Sequence, residues 1–333
     1  MQRIALMLLA FFATVGCAQA ASYLVPPPGT DIIGEVKSIR AVYEDTFVDL
    51  ARRYDVGYEE LVRANPTVDP WLPGEGVEIV IPTRFVLPSG PREGIVFNIP
   101  EMRIYYYPTP HKGEQPVVMT FPVGIGREGV TTPLGRTQVT GKVRNPIWYP
   151  TDSVRAEHAA EGDILPRAVP PGPDNPLGEY ALRLSIPTYL IHGTHKPDGV
   201  GMRVSHGCVR LFPEDIETLF KAVPIGTPVY VIDQPFKMGW QADELYLEVH
   251  PPLEEDAKRA AKGLTAITEL LVSATGQRQT EVDWDAVEEI FEQATGIPQP
   301  MSHALPMRTA EAGSGPDDRR CGSGTNLGAC RRD

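Results

Sequence analysis

The sequence predicts a mainly β protein: a sandwich-like central domain, a small α+β module before it, and helices after it. The chain of 333 residues contains 34 prolines and 31 glycines, which favours short strands and loops over long helices. Short β-branched and aromatic runs follow one another from residue 94 to residue 143, and no long helical period interrupts them. With 42% hydrophobic residues, the chain can bury a sizeable core and hold more than one domain.

Residues 1–20 have the features of a secretion signal. Arg3 precedes an apolar run from Ile4 to Val15, and Ala18-Gln19-Ala20 offers the small residues of a cleavage site. The apolar run is too short to act as a stable membrane span. We therefore expect cleavage after Ala20 and an exported protein.

Charge and hydropathy restrict the partners of the protein. The net charge of −12 argues against nucleic acid and against an anionic membrane surface. No segment after the signal is apolar for long enough to cross a membrane, so no stable membrane span is expected. A form anchored by lipid at Cys17 is the less favoured alternative, because Thr14 stands where lipoprotein signals usually carry leucine.

The next two segments are predicted to be a linker and a compact module. Residues 21–36 are rich in proline and polar side chains, which favours a linker, and residues 37–84 form the α+β module. A second short helix is expected from Tyr58 to Asn65, and a strand from Val77 to Pro82. Apolar residues at i, i+3, i+4 and i+7 predict the first helix: Phe47, Leu50, Ala51 and Tyr54.

Residues 93–233 are predicted to form the central β domain, with one helix beginning at Pro213. The insertion at residues 146–179 is longer than an ordinary connection, and its aromatic residues favour a lid or wall over a cleft. A proline-stiffened surface loop is the alternative for this insertion. The predicted strands are 94–99, 102–107, 117–123, 139–143, 189–191 and 226–232.

The C-terminal region is predicted to be helical and then disordered. Residues 234–301 form the helical extension, with amphipathic helices at about 253–276 and 283–295. Residues 302–333 are rich in glycine and serine, which predicts a disordered tail. Cys321 and Cys330 in this tail are able to pair in an oxidising compartment, which leaves Cys208 as a single unpaired thiol.

The stretch 188–212 contains the residue types of a nucleophilic site. His192 follows the apolar run 189–191, which indicates a buried strand, and Cys208 follows Gly207 further along the same loop. A thiol needs a base or a cation beside it to react near neutral pH. A glycine lets backbone N–H groups approach a developing oxyanion closely. We interpret the stretch as a cysteine acyl-transfer site.

Two other interpretations of the same residues remain open. His192, His195, His206 and Cys208 have the ligand types of a zinc site, although their spacing fits the common ligand pairs poorly. The second alternative is structural, because a lone cysteine is often a small buried hydrophobic residue.

The order of residues around the cysteine resembles that of a known family. His192-Gly193-Thr194, followed further along the loop by Ser205-His206-Gly207-Cys208-Val209-Arg210, looks like the active-site signature of the L,D-transpeptidases of bacterial cell walls. Arg210 stands where many relatives have asparagine, as in the periplasmic branch of the proteobacteria. The turn Thr132-Pro133-Leu134-Gly135 resembles one that the family places beside its active site. The resemblance implies that residues 93–233 are a catalytic domain acting in the periplasm.

Residues 37–84 resemble a LysM (lysin motif) module. The resemblance rests on the order strand–helix–helix–strand and on Arg63-Ala64-Asn65-Pro66 at the second helix. LysM modules bind glycans that contain N-acetylglucosamine, so the resemblance implies a glycan site. Glu44 occupies the place of the usual glycine, and a structural module without a ligand is the alternative.

The resemblance also implies roles for the residues of the site. Cys208 would attack a stem tetrapeptide of peptidoglycan, release D-alanine and form a thioester, which an amine then attacks. His192 would be the base and the acid, oriented by the carbonyl of Gly193, and the N–H groups of Gly207 and Cys208 would form the oxyanion hole. No metal or organic cofactor is required. The residues expected to contact substrate or support the loop are Thr194, Arg203, Ser205, His206 and Arg210.

The acyl acceptor stays open at this point. It is diaminopimelate of a neighbouring stem, a lysine of an outer-membrane lipoprotein, or water, and water would make the protein an L,D-carboxypeptidase or a hydrolase of lipoprotein tethers. A non-catalytic peptidoglycan-binding protein is the alternative from a different class, which the intact Cys208 and His192 disfavour.

Overall fold

The computed structural model describes residues 21–129, 132–253, 263–276, 278 and 280–303. The predicted secretion signal, the lipidation alternative at Cys17, the Cys321–Cys330 pair and the tail beyond residue 303 lie outside this range. No helix within the described residues is long and apolar enough to cross a membrane.

A mixed nine-stranded sheet forms the centre of the molecule and confirms the mainly β prediction. The sheet curls around its core, and helix α4 (Pro213–Ala222) covers part of that core with Ile216 and Leu219. The strands, in spatial order, are β1 (Ala21–Leu24), β6 (Val117–Pro122), β5 (Arg103–Tyr107), β4 (Gly94–Asn98), β13 (Pro228–Ile232), β8 (Gly135–Arg144), β9 (Tyr180–Leu184), β10 (Leu190–His192) and β12 (Val209–Arg210). A separate two-stranded sheet pairs β7 (Ile125–Gly126) with β11 (Arg203–Ser205).

The prediction of a linker at residues 21–36 is wrong. Strand β1 pairs antiparallel with β6 at the edge of the central sheet, with Ala21 opposite Thr120. Tyr23 and Val25 pack against a buried cluster that includes Phe85 and Tyr105. The proline-rich composition belongs to the short turn after β1, and the strands on either side of it are held by partners distant in sequence.

The module after β1 has the predicted order of elements. Strands β2 (Ile32–Arg40) and β3 (Glu78–Val86) pair along nine residues, and helices α1 (Phe47–Tyr54) and α2 (Tyr58–Ala64) lie between them. Thr46 caps α1 by accepting a hydrogen bond from the Asp49 N–H. Asn65 ties the end of α2 to β3 through hydrogen bonds with the backbone of Val80 in both directions (2.8 Å each).

The module is attached to the central domain next to the segment that carries the site. The first N–H groups of α2 donate to this segment, from Tyr58 to the Val200 carbonyl (3.4 Å) and from Glu59 to the Gly201 carbonyl (3.2 Å). Gly201 has a φ of +77°, and a Cβ there would lie 2.3 Å from the Gly57 Cα. Glycine is therefore needed on the segment where the two backbones meet.

The region 234–301 is only partly helical, which corrects the predicted helical extension. Strands β14 (Phe236–Gln241) and β15 (Glu244–Val249) form a hairpin, and β17 (Gln299–Pro300) pairs with β15. Helices α5 (Gly263–Thr275) and α6 (Trp284–Gln293) cover this small sheet. Strands β16 (Glu281–Val282) and β18 (Ser302–His303) also pair, so residues 302 and 303 are part of a sheet and not of a disordered tail. Apolar residues occupy every second position of both strands, 236, 238 and 240 in β14 and 245, 247 and 249 in β15, which is the alternation typical of strands.

Candidate active site

The cysteine and the histidine lie on the same side of two neighbouring strands. Strand β10 pairs in parallel with β12, and His192 stands opposite Arg210 in this register. Cys208 directly precedes β12, so the same register places it opposite Leu190. Because side chains alternate along a strand, Cys208, His192 and Arg210 face the same side. Cys208 and His192 both line one cleft of about 1440 Å³.

Three hydrogen bonds hold the loop that presents Cys208. The Ser205 hydroxyl donates to the Cys208 carbonyl (2.6 Å) and accepts from the Gly207 N–H (3.2 Å). The Thr132 hydroxyl donates to the Gly207 carbonyl (2.9 Å). Gly207 has a φ of +103°, a backbone conformation that favours glycine. The turn between Ser205 and Cys208 is therefore fixed before any substrate binds.

The imidazole of His192 is buried and held in one orientation. Its Nδ1 lies 2.6 Å from the Gly193 carbonyl, which can only accept, so Nδ1 carries the proton and Nε2 is the basic nitrogen. Burial lowers the pKa of His192 to about 4, and the positive charge of Arg210 contributes in the same direction. His192 is therefore a neutral base at neutral pH.

The thiol of Cys208 is neutral as well. Burial raises its pKa above the ordinary value, against the opposing effects of a hydrogen bond from the Leu190 backbone and of the Arg210 charge. The thiol donates to the Thr188 carbonyl (3.6 Å), and Thr188 itself has a φ of +70°. Strained backbone of this kind recurs at functional sites. The resting pair is a thiol beside a neutral imidazole.

The walls of the cleft come from two other parts of the chain. The insertion at residues 146–179, which contains helix α3 (Asp152–Ala160), contributes Trp148, Tyr149 and Leu165. This placement agrees with the predicted wall. The N-terminal module contributes Asp49 and Trp71. The cleft therefore lies between the module, the insertion and the catalytic loop.

The structure separates the two arginines that the sequence grouped together. Arg210 lines the cleft, and its charge acts on both Cys208 and His192. Arg203 lies on β11 and is not among the residues that line the cleft. Of the two arginines, Arg210 alone lies beside the Cys208–His192 pair, and the substrate contact expected of Arg203 gains no support from the lining of the cleft.

The predicted substrate contacts of Ser205 and Thr194 also need correction. The Ser205 hydroxyl is used twice within the loop, as described above. The Thr194 hydroxyl donates to the Lys196 carbonyl (3.2 Å) and accepts from the Lys196 N–H (3.0 Å). Both residues are buried. They shape the loops beside the cysteine, and their hydroxyls are not available to substrate.

Glu157 on α3 contacts the cleft-lining residue His206, and the sequence did not single it out. It pairs with Arg127 and lies 3.3 Å from Nε2 of His206, so it fixes the His206 ring at the cleft wall. The contact between Glu157 and His206 spans 49 positions of sequence, and the local sequence pattern of α3 does not indicate it. The wall position expected for His206 agrees with its lining of the cleft.

The zinc alternative finds no support in the geometry of the described residues. Their only group of three potential ligand atoms within 4.8 Å of one another is formed by Glu101, Glu248 and His250, away from the cleft. Lys237 forms ion pairs with both of these carboxylates, 2.7 Å each. A cation already occupies the place that a metal would need.

The central sheet is curled and mixed, and it carries a cysteine and a histidine on adjacent strands. The histidine is oriented by a backbone carbonyl. This arrangement is typical of cysteine-dependent enzymes whose histidine is oriented in this way. The family model described as the L,D-transpeptidase catalytic domain (YkuD) matches residues 92–231. The chain belongs to the L,D-transpeptidase family.

Similar proteins are found over most of the chain in enterobacteria. It is 41% identical to the probable L,D-transpeptidase YbiS of Escherichia coli K12, over 87% of this chain and 95% of that protein. It is 39% identical to the probable L,D-transpeptidase ErfK/SrfK of Salmonella typhimurium, over 86% and 93% respectively. The probable L,D-transpeptidase YcfS of E. coli K12 is 40% identical, over 84% and 88%. The similarity therefore extends beyond the catalytic domain, to both flanking regions.

Proposed function

We propose that the protein transfers the acyl part of a peptidoglycan stem tetrapeptide to an amine through a thioester on Cys208. The observation that carries the proposal is the position of the Cys208 thiol and the His192 imidazole on one face of two paired strands, in an open cleft. The stem peptide would lie along the cleft with the carbonyl of its third residue at Sγ. D-Alanine is then the leaving group.

The neutral resting pair sets the order of proton movements. As Sγ attacks the carbonyl carbon, its proton passes to Nε2 of His192, because Nδ1 is already bonded to the Gly193 carbonyl. The imidazolium then gives this proton to the nitrogen of the departing D-alanine. In the second half, the same nitrogen takes a proton from the attacking amine, and the thiol is restored.

The oxyanion is best served by the Cys208 N–H. The Gly207 N–H, which the family resemblance also suggested, already donates to the Ser205 hydroxyl. Among the described residues, none accepts a hydrogen bond from the Cys208 N–H. Gly207 then contributes through its φ of +103°, which turns the chain so that the following N–H points at the oxyanion.

The cleft walls suit a cationic acceptor. Four aspartates line it, against three cationic side chains (Arg183, Lys196 and Arg210): Asp49, Asp163, Asp174 and Asp198. The acceptor side chain reaches the cleft from bulk water as an ammonium group. Carboxylates near its approach path attract that positive charge. This favours diaminopimelate or a lipoprotein lysine over water. Arg210, whose charge acts on Cys208 and His192, is the arginine that we expect to hold a carboxylate of the stem peptide.

The N-terminal module is proposed to bind the glycan strand that carries the stem. Trp71 is 60% exposed and lies 6.1 Å from the Tyr58 ring, and it lines the same cleft as Cys208. Exposed aromatic rings of this kind stack on sugar rings. The periplasm is the proposed location, reached by cleavage of the secretion signal at residues 1–20.

Incubation with disaccharide tetrapeptide, followed by mass spectrometry of the products, tests the reaction. Wild type is expected to release D-alanine, and Cys208→Ala and His192→Ala to lose this release. His111→Ala, an exposed histidine outside the cleft, is the matched control. Release of D-alanine by Cys208→Ala at the wild-type rate would exclude the mechanism. A carbapenem adduct present on wild type and missing from Cys208→Ala gives an independent identification of the nucleophile.

The same products distinguish the acceptors. With tetrapeptide alone, cross-linked dimers indicate diaminopimelate, and tripeptide alone indicates water. With an added peptide that ends in lysine, a lysyl conjugate indicates a lipoprotein acceptor. Binding to wall without any product would support a non-catalytic binding protein.

A further inference from the structure

Two buried carboxyl groups meet where the N-terminal module packs on the central domain. Asp55 ends helix α1 and is 7% exposed, and Asp215 lies in the first turn of α4 and is 2% exposed. Among the described residues, no donor reaches Oδ1 of Asp55 or Oδ2 of Asp215. The two carboxyls can hydrogen-bond each other only while one of them keeps a proton.

The charges around this pair do not balance. Arg103 is the cation that faces it, but Nε and Nη2 of its guanidinium group donate to Glu60 and Nη1 donates to the Thr120 hydroxyl. Its contact with Asp55 is a hydrogen bond from Nη2 to the backbone carbonyl (3.3 Å), and the Asp55 carboxyl group is not its partner. Glu214 also faces Asp215, and it forms an ion pair with Arg52 in a more exposed position. Tyr23 is the remaining titratable group near Asp55. With both aspartates ionised, four carboxylates (Asp55, Asp215, Glu60 and Glu214) face two arginines (Arg103 and Arg52), so the cluster lacks two positive charges.

The nitrogen of Ala21 lies beside one of the two carboxyl groups that lack a counter-charge. It donates to Oδ2 of Asp55 at 3.0 Å, and it belongs to the first residue of β1. Ala21 is also the residue that follows the expected cleavage site. Hydrolysis of the Ala20–Ala21 bond would convert this amide nitrogen into an α-amino group, which takes up a proton and has three N–H donors in place of one.

We propose that cleavage after Ala20 creates an α-ammonium group at Ala21 that docks on Asp55 and supplies its counter-charge in the buried cluster between module and catalytic domain, while Asp215 keeps its proton. Water supplies the hydroxyl of the released Ala20 carboxyl and the hydrogen of the new amine. The docked ammonium joins three parts of the chain: β1 in the central sheet, Asp55 in the module, and Asp215 on the helix that follows the Cys208 loop.

The pH dependence follows from the same geometry. In the unprocessed chain, the Ala21 nitrogen is an amide. Burial then raises the pKa of Asp55 to about 6, against the opposing charge of Arg103, and it also raises the pKa of Asp215. A raised acid contributes stability that is lost as pH rises through its folded pKa. An ammonium partner lowers the pKa of Asp55 again, and its own pKa rises, so the processed form keeps stability up to a higher pH.

The first test is the N terminus of the exported protein, by intact mass and Edman sequencing. A mature chain that begins at Ala21 supports the proposal, whereas any other first residue, including a lipidated Cys17, overturns it.

The second test compares two purified forms that differ by one residue at the N terminus. One begins at Ala21, and the other has a single glycine before Ala21, which moves the amine away from Asp55. We expect the unfolding equilibrium constant at pH 7 to be roughly tenfold smaller for the form that begins at Ala21, because hydrogen bonds to charged groups are the stronger kind. Asp55→Asn should remove this difference. Equal stability of the two forms with Asp55 intact would overturn the proposal.

The pKa of the α-amino group, from competitive labelling across pH, is a measurement that needs no variant. Docking predicts a value at least one unit above the ordinary ~7.7–8.0, while an ordinary value contradicts docking. None of these measurements depends on Cys208. A failure of this proposal can therefore be distinguished from a failure of the proposed acyl transfer.

Discussion

Arg103 on β5 and Glu60 on α2 form a buried bidentate ion pair that joins the central sheet to the N-terminal module. Nε and Nη2 of Arg103 donate to the two carboxylate oxygens at 2.9 and 2.7 Å. The arginine is fully buried and the glutamate is 6% exposed. Burial alone would raise the pKa of Glu60, but the guanidinium charge and hydrogen bonds bring it below the ordinary value. The attachment of the module therefore depends on an ionised pair.

Glu60→Gln should destabilise the protein by about 3–5 kcal/mol, because it leaves the Arg103 charge buried without a counter-charge. Urea unfolding at pH 7 measures this loss. Glu59→Gln on the same helix is the matched control, since Glu59 pairs with Arg63 at i,i+4 in a more exposed position and should cost less than about 0.5 kcal/mol. Equal losses in the two variants would show that burial of the pair is not the cause.

The acid limb of kcat/KM should lie near pH 4. His192 must be neutral to accept the thiol proton, and its pKa is lowered to about 4 by burial and by Arg210. An exposed histidine would place this limb near ~6.5. NMR titration of the imidazole separates His192 from the carboxyl groups of the substrate, and a His192 pKa near 6.5 would contradict the buried neutral base.

Arg210→Met should shift both members of the pair. Removal of the charge raises the pKa of His192, because Arg210 now lowers it, and raises that of Cys208 further. We expect the acid limb to move to higher pH and the alkylation of Cys208 by iodoacetamide at pH 8 to slow. Arg136→Met, an exposed arginine on β8 outside the cleft, is the control and should change neither. A faster alkylation in Arg210→Met would contradict the assigned electrostatics.

Ser205→Ala should lower kcat by about tenfold to a hundredfold with little change in KM. The variant loses the hydrogen bonds to the Cys208 carbonyl and from the Gly207 N–H, so the nucleophile and the proposed oxyanion donor move together. The unpartnered groups should also lower the free energy of unfolding by about 1–3 kcal/mol. Ser273→Ala, on the exposed face of α5, is the matched control and should leave kcat unchanged. A rise in KM alone would instead indicate a substrate contact.

The sequence predicted several contacts of the candidate site because their partners are close together in the chain. His192 and the Gly193 carbonyl are adjacent in the chain, and Gly207 and Cys208 share one turn, so residue types and order were enough to suggest the contacts. The Thr132 turn was also indicated by its composition. The double use of the Ser205 hydroxyl was not predictable, because it depends on how the turn folds back on itself.

The errors concern partners that are distant in sequence. Strand β1 was taken for a linker because its partner is β6, about a hundred residues away, and a short edge strand has little pattern of its own. The hairpin β14–β15 is an exception: it was included in a helical region because two amphipathic helices follow it, although apolar residues alternate along both of its strands. The separation of Arg203 from Arg210 depends on the pairing of β11 with β7, which no local pattern indicates.

Lys237 on β14 provides a last prediction, on the attachment of the C-terminal hairpin. Its ammonium group is fully buried and lies 2.7 Å from both Glu101 and Glu248 and 2.8 Å from the Val86 carbonyl. Lys237→Met leaves the two carboxylates without their cation. Burial already raises the pKa of Glu248 despite this lysine, so its loss should raise that pKa further.

An acid with a raised folded pKa contributes stability that is lost as pH rises, so the defect of Lys237→Met should grow with pH. We expect a loss of about 3–5 kcal/mol at pH 8 and a clearly smaller one at pH 5, measured by urea unfolding. Lys221→Met is the control, because Lys221 pairs with Glu217 at the surface of α4 and should cost less than about 0.5 kcal/mol at either pH. If Lys237→Met lost the same amount at pH 5 and pH 8, the lysine would stabilise the hairpin by packing of its chain, and its charge would not be the cause.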